Sequence, residues 1–234
     1  LSENTVKTYY KDLNYLVILN FIIIIFILFS NQLNNILNNK ELISSLIPIL
    51  LEGTFLSNIP LFVKDIIPTD ILMKIIFLKH YKEPLPSGRV FENIEEDVLI
   101  DEKYLINKYF SDNEKIPENY VESHRAWYKI YREYSDDPRT EQSQKDYLFY
   151  RDSFASILII LVFTPIIICV NCIFNIDMNL NIKYLILFYS FLSIELLLYW
   201  YLTIIKGKSF VRGVLITASH VKKDIKKIEV HHKF

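Results

Sequence analysis

The chain has 234 residues, 51% of them hydrophobic, and a formal net charge of −1, with a mean hydropathy of +0.21. That length holds one or two compact units, and the apolar fraction is high for a soluble domain. Four glycines against sixteen tyrosines and sixteen phenylalanines argue against a glycine-rich phosphate loop, a collagen-like repeat or a flexible linker.

The apolar residues are gathered into blocks. The first, Leu13 to Ser30, reads LNYLVILNFIIIIFILFS and carries no charge. It lies near the lower length limit for a helix crossing about 30 Å of hydrocarbon. A secretory signal is the competing reading. The run is longer than an h-region, and the Asn-rich NQLNNILNN that follows offers no small-x-small cleavage site, so a retained span is expected. The second block, Leu42 to Val63, contains Pro48, Glu52, Gly53 and Pro60. It would make a broken soluble helix; in a membrane, where neighbouring helices re-satisfy the backbone, a kinked span or a re-entrant segment is expected.

Residues 64–153 form a polar insert, large enough for a small helical domain. In its first part, Thr69 or Asp70 after Pro68 is the expected N-cap of a helix with Ile71, Ile75 and Leu78 on one face, suited either to a membrane interface or to the insert's own core. Pro84, Pro86 and Gly88 then break the chain. The acidic run Glu92, Glu95, Glu96, Asp97, Asp101 and Glu102 lacks the alternating positions and tight-turn glycine of a calcium loop, so a solvated face is expected. From Glu118 to Tyr134, the residues Tyr120, Trp127, Tyr131 and Tyr134 recur at helical spacing. With Arg125, Lys129 and Arg132 such a stripe could stack bases, but the insert is acidic and no nucleic acid is expected as a partner. After Asp136-Asp137-Pro138, one long helix is expected from about Thr140 to Phe174, with Tyr147, Tyr150 and Arg151 at the interface.

Two further blocks, Phe154 to Phe174 and Tyr184 to Ile205, are separated by NIDMNLNIK and form an antiparallel hairpin, with Tyr199, Trp200 and Tyr201 near one end. Cys169 and Cys172 lie inside the first of these without a nearby histidine and read as packing residues, so no metal site and no cofactor are expected. If all four blocks span, the loops after the first and third hold only Lys40 and Lys183. That leaves 26 less 2, or 24, basic residues on the other side, which makes both termini and residues 64–153 cytoplasmic.

The tail from Lys206 has eight basic residues against Asp224 and Glu229, a net +6, whereas the insert has fourteen basic and nineteen acidic, a net −5. Lys222, Lys223, Lys226 and Lys227 are therefore candidates for docking on anionic lipid or on the insert. Near these lysines, His220, His231 and His232 read as an ordinary terminal segment rather than a metal cluster.

Chemistry inside the spans rests on Glu52 and Glu195, each near the middle of its block, with Asn20 and Thr164 at comparable depth. A charged group at that depth costs about 2.5 to 3.5 kcal/mol on insertion scales, so it faces a bundle interior or water. The four residues could line an ion or proton pathway, or join the helices by hydrogen bonds as neutral groups. No G-x-S-x-G, H-E-x-x-H or phosphate loop is present, and Ser123-His124-Arg125 lacks an identifiable acidic partner, so an enzyme embedded in the membrane is the weakest reading.

The sequence thus predicts an all-α integral membrane protein of about four transmembrane helices. Residues 1–63 hold a first hairpin (13–30 and 42–63), 64–153 a cytoplasmic helical insert, 154–205 a second hairpin (154–174 and 184–205), and 206–234 a basic cytoplasmic tail. The expected role is non-enzymatic: a multi-pass component of the cell membrane that assembles with itself or with membrane partners and uses its insert to sense or recruit. An oligomeric pore lined by the midplane carboxylates is the alternative.

Overall fold

The computed structural model describes residues 11–20, 22–23, 66–80, 82–92, 94–110, 116–117, 119–173 and 182–231, with the side chains of 167, 170–172, 184 and 221–231 outside that description. Its α-helices are α1 (residues 11–20, continuing at 22–23), α2 (Thr69–Ile76), α3 (Glu102–Tyr109), α4 (Tyr120–Glu133), α5 (Pro138–Ile173) and α6 (Ile182–His231). No strand occurs among the described residues. The predicted second span, 42–63, lies outside them, as does most of the first beyond residue 23.

The helix starts follow local chemistry. The Asp101 carboxylate accepts the Tyr104 amide at 3.1 Å to cap α3, and the Asn119 side chain accepts the Val121 amide at 2.9 Å to cap α4. Asp137 accepts the Arg139 amide at 2.9 Å ahead of α5, whose first residue is Pro138. Each cap satisfies an amide with no partner inside its helix, worth about 1 kcal/mol.

Helix α2 departs from expectation. The amides of Ile71 and Leu72 both donate to Pro68 O at 3.0 Å, so Thr69 is the first helical residue rather than the cap. The predicted apolar face is not the buried one. Leu72, Met73, Ile76 and Phe77 are buried, whereas Ile71 is 51% and Leu78 62% exposed. A segment that is apolar nearly all round offers two stripes to the 3.6-residue period, and packing rather than pattern selects between them.

Among the described residues, two helices are long and apolar enough to cross a membrane, through Pro138–Ile166 of α5 and Leu185–His220 of α6. On α6 the side chains of Ile186, Leu187, Ile194, Leu197 and Leu198 are exposed. Within α5, Pro165 supplies no amide for the usual bond to the preceding turn, and in that turn the Thr164 hydroxyl donates to Ile160 O at 2.6 Å. Helix α6 does not stop at Ile205: it runs on to His231, because no proline interrupts it and residues 206–220 carry a second apolar stripe.

The chain divides into two compact units. Unit 1 comprises Met73–Leu148 and Thr203–Phe234 together with Leu1–Val6, and unit 2 comprises Lys7–Leu72 and Phe149–Leu202. The core of unit 1 joins Phe91, Ile94, Leu105 and Phe110 to Trp127 and Ile130 of α4 and to Phe210, Val214, Leu215 and Ala218 of α6. Trp127 is stacked on Tyr131 at 5.3 Å and meets Phe210 edge-on at 5.7 Å. Its indole N–H donates to Val211 O at 3.0 Å, giving a buried donor the partner it needs. The helical aromatic stripe of α4 is therefore core on its Trp127 side. In unit 2, Leu16 and Ile23 of α1 pack with Ile157 and Ile160 of α5 and with Phe188 and Leu192 of α6.

Candidate functional site

Unit 1 contains a cavity of about 350 Å³ lined by three stretches of chain: the 3₁₀ turn Leu78–His80, the segment from Pro86 to Ile100, and α6 from Lys208 to Arg212. Phe77, Ile94, Ile100 and Val211 give it apolar walls, and His80, Arg89, Lys208 and Arg212 bring basic groups to it.

The local fold explains how Arg89 arrives there. Pro84 and Pro86 turn the chain into a short 3₁₀ helix, Pro86–Arg89, which α4 holds in place. The Tyr120 hydroxyl accepts the Leu85 amide at 2.8 Å, and Ser87 Oγ lies 2.7 Å from His124 Nδ1. Gly88 is needed for close approach: a Cβ there would stand 2.1 Å from Tyr120 Cε2. Arg89 follows directly, half-buried at the cavity.

The charges are unevenly matched. Arg212 is paired with Asp97, its Nη2 2.7 Å from Oδ1 and its Nε bonded to Oδ2; this bidentate contact holds the Asp97 carboxyl below its usual range. Neither Arg89 nor Lys208 makes an ion pair among the described residues. His80 feels the surplus. Desolvation, then repulsion from Arg89, Lys79 and Lys208, lowers its pKa from the ordinary 6.5, and Glu92 opposes them. With Asp97 taken by Arg212, Arg89 and Lys208 outnumber the Glu92 carboxylate among the lining residues.

The site residues expected from sequence are distributed elsewhere. In unit 2, Asn20 is buried on α1 with its side chain beside the Glu195 carboxyl of α6. The Asn20 amide also donates to Leu16 O at 3.2 Å. Glu195 Oε2 and Asn20 Oδ1 have no hydrogen-bond partner among the described residues. Thr164 is buried too, but its hydroxyl is engaged by its own helix. Glu52 lies outside the described residues, and so do the side chains of Lys222, Lys223, Lys226 and Lys227, whose backbone is helical within α6.

His80, Arg89 and Lys208 were not singled out by sequence. They are separated by nine and more than a hundred positions, and no spacing rule links them. The available signal was the Pro-x-Pro-x-Gly-Arg turn, which sets an arginine just beyond a forced bend. No known protein family, characterised protein or solved structure matches the chain.

Proposed function

We propose that the chain is a non-enzymatic, multi-span membrane protein that assembles with itself or with membrane partners, and whose helical unit 1 faces the cytoplasm to sense or recruit. In this reading the four predicted blocks span, and both termini lie with unit 1. The observation that carries it is the buried bond from Trp127 Nε1 to Val211 O within one continuous core. The polar insert is a built domain whose central strut is the helix that begins as the last apolar span. Such a domain is suited to registering a ligand or partner beside the bilayer. Assembly is supported by the exposed apolar residues of α6 and by polar atoms of Asn14, Asn20, Tyr189 and Glu195 that are buried without partners among the described residues.

A second reading, an oligomeric ion or proton path, draws on the contact of Asn20 with Glu195, since a carboxyl at span depth is a cation ligand as well as a hydrogen-bonding group. Flux through the purified full chain in liposomes separates the two. The sensing reading expects no proton or sodium flux above empty liposomes, and sustained flux abolished by Glu195→Gln would replace it with the pore.

A further inference from the structure

We propose that the cavity of unit 1 is a binding site for a phosphate-bearing anion, held by Arg89, Lys208 and His80. The inference rests on the sensing reading and supplies its ligand. The volume of about 350 Å³ lies at the small end of ligand sites and suits a single headgroup rather than an extended molecule. Beside Arg212, which Asp97 engages, two more permanent cations line it, one carried on a forked guanidinium that matches phosphate oxygens bidentately. The carboxylate of Glu92 faces the same space, whereas that of Asp97 is already committed to Arg212. The apolar walls raise the strength of each charge contact by excluding water.

Position narrows the source. Lys208 is the third residue after Ile205, the end of the last apolar block, and Leu78, the first residue of the turn that carries His80, is exposed. Basic residues just past a span are placed for the headgroups of anionic lipid. A soluble phosphate ester offers the same oxygens, so the test separates the two.

The imidazole serves as reporter. His80 is faced by Lys79 on its own turn, by Arg89 and Glu92 on the following segment and by Lys208 of α6. An anion seated among these groups screens the three cations, so binding should raise the His80 pKa and take up protons. The experiment is NMR titration of the histidines in the purified full chain, held in phosphatidylcholine nanodiscs, with and without inorganic pyrophosphate, and in parallel with phosphatidic acid added to the bilayer. A rise at His80 but not at His124 is expected. A rise with phosphatidic acid identifies a lipid headgroup as the source, and a rise with pyrophosphate alone identifies a soluble phosphate.

In equilibrium dialysis of pyrophosphate, Arg89→Gln with Lys208→Gln should weaken binding by about tenfold or more, while Lys129→Gln, the removal of one positive charge elsewhere in unit 1, should leave it unchanged. No His80 response to either probe overturns the site, as does equal loss in the Lys129→Gln control. The His80 measurement uses the unaltered chain, so a variant that misfolds does not spare the proposal. Because pyrophosphate reaches the site from either side of a nanodisc, the result does not depend on topology. Failure here removes the ligand, whereas failure of the sensing reading appears as ion flux.

Discussion

A carboxyl group in an apolar helix is tolerated either as a neutral hydrogen-bonding group or as a charge facing water or a cation. Glu195 contacts Asn20, and substitution tells the two roles apart. Glutamine keeps the shape and the hydrogen bond but cannot ionise; leucine keeps neither. In the assembling reading, Glu195→Gln is nearly silent, and Glu195→Leu loosens the membrane unit by the value of one interhelical bond, about 0.6 kcal/mol. Unfolding of the purified protein in mixed micelles measures the difference. A large loss with glutamine that equals the loss with leucine would show that charge matters instead. His124 is a second residue with a defined pH signature. Desolvation lowers its pKa from 6.5, so the folded state binds its proton less well than the unfolded state. Its contribution is present in full above about pH 6.5 and is lost as the pH falls through the lower folded value. His124→Gln should therefore flatten the acid side of the stability profile, read as the unfolding midpoint between about pH 7.5 and about pH 5.

Among the elements, α4 is the part of unit 1 that the rest is built upon. One edge clamps the Pro86–Arg89 turn through Tyr120 and His124, and the other meets α6 through Trp127. Trp127→Ala removes a buried ring and a paired indole N–H, a loss of about 3 to 5 kcal/mol, and should unfold unit 1 at a lower temperature. Asp97→Asn should cost under about 1 kcal/mol, because Arg212 is largely exposed and the pair is screened by solvent. Gly88→Ala forces Tyr120 aside and frees the Leu85 amide, so it should lie between the two. Thermal unfolding followed by near-ultraviolet dichroism ranks all three. Helix α4 was legible in the sequence, since the recurrence of Tyr120, Trp127, Tyr131 and Tyr134 and the Asp-Asp-Pro stop are both short-range signals. So was α5, whose start is set by the capping Asp137 and by Pro138. The buried face of α2 was not legible: with Ile, Leu, Met and Phe on every side, only tertiary packing chooses. Nor was the length of α6, because its polar stretch after Ile205 hides a stripe from Phe210 to Ala218 that becomes apolar surface only when the insert is there to cover it.

For the whole molecule, the 24-to-2 division of basic residues sets the expected topology. In a background with Cys169 and Cys172 replaced, single cysteines at Asn35 and Asn179 should label from outside intact cells, and one at Gln142 should not. Labelling at Gln142 without labelling at Asn35 would invert the arrangement and remove unit 1 from the cytoplasmic leaflet that the sensing proposal assumes. The anion site was invisible at this scale too, for a physical reason. Its three basic residues come from two stretches of chain on either side of the second predicted hairpin, and near-neutral totals conceal the local surplus.

The bond from Trp127 to Val211 links residues 84 positions apart, and that separation governs the order of events during synthesis. Phe91, Trp127 and Ile130 leave the ribosome well before Phe210, Val214 and Leu215, and the intervening chain includes both long apolar segments. Until these have been made, the insert lacks the part of its core that comes from α6 and exposes aromatic surface of the kind that chaperones hold and that aggregates. Closing a loop of that length costs only slightly more entropy than closing a shorter one, so completion is governed by when the last helix is made. Unit 1 is therefore finished only after both apolar segments have been synthesised. A chain that ends before Phe210 cannot complete this core.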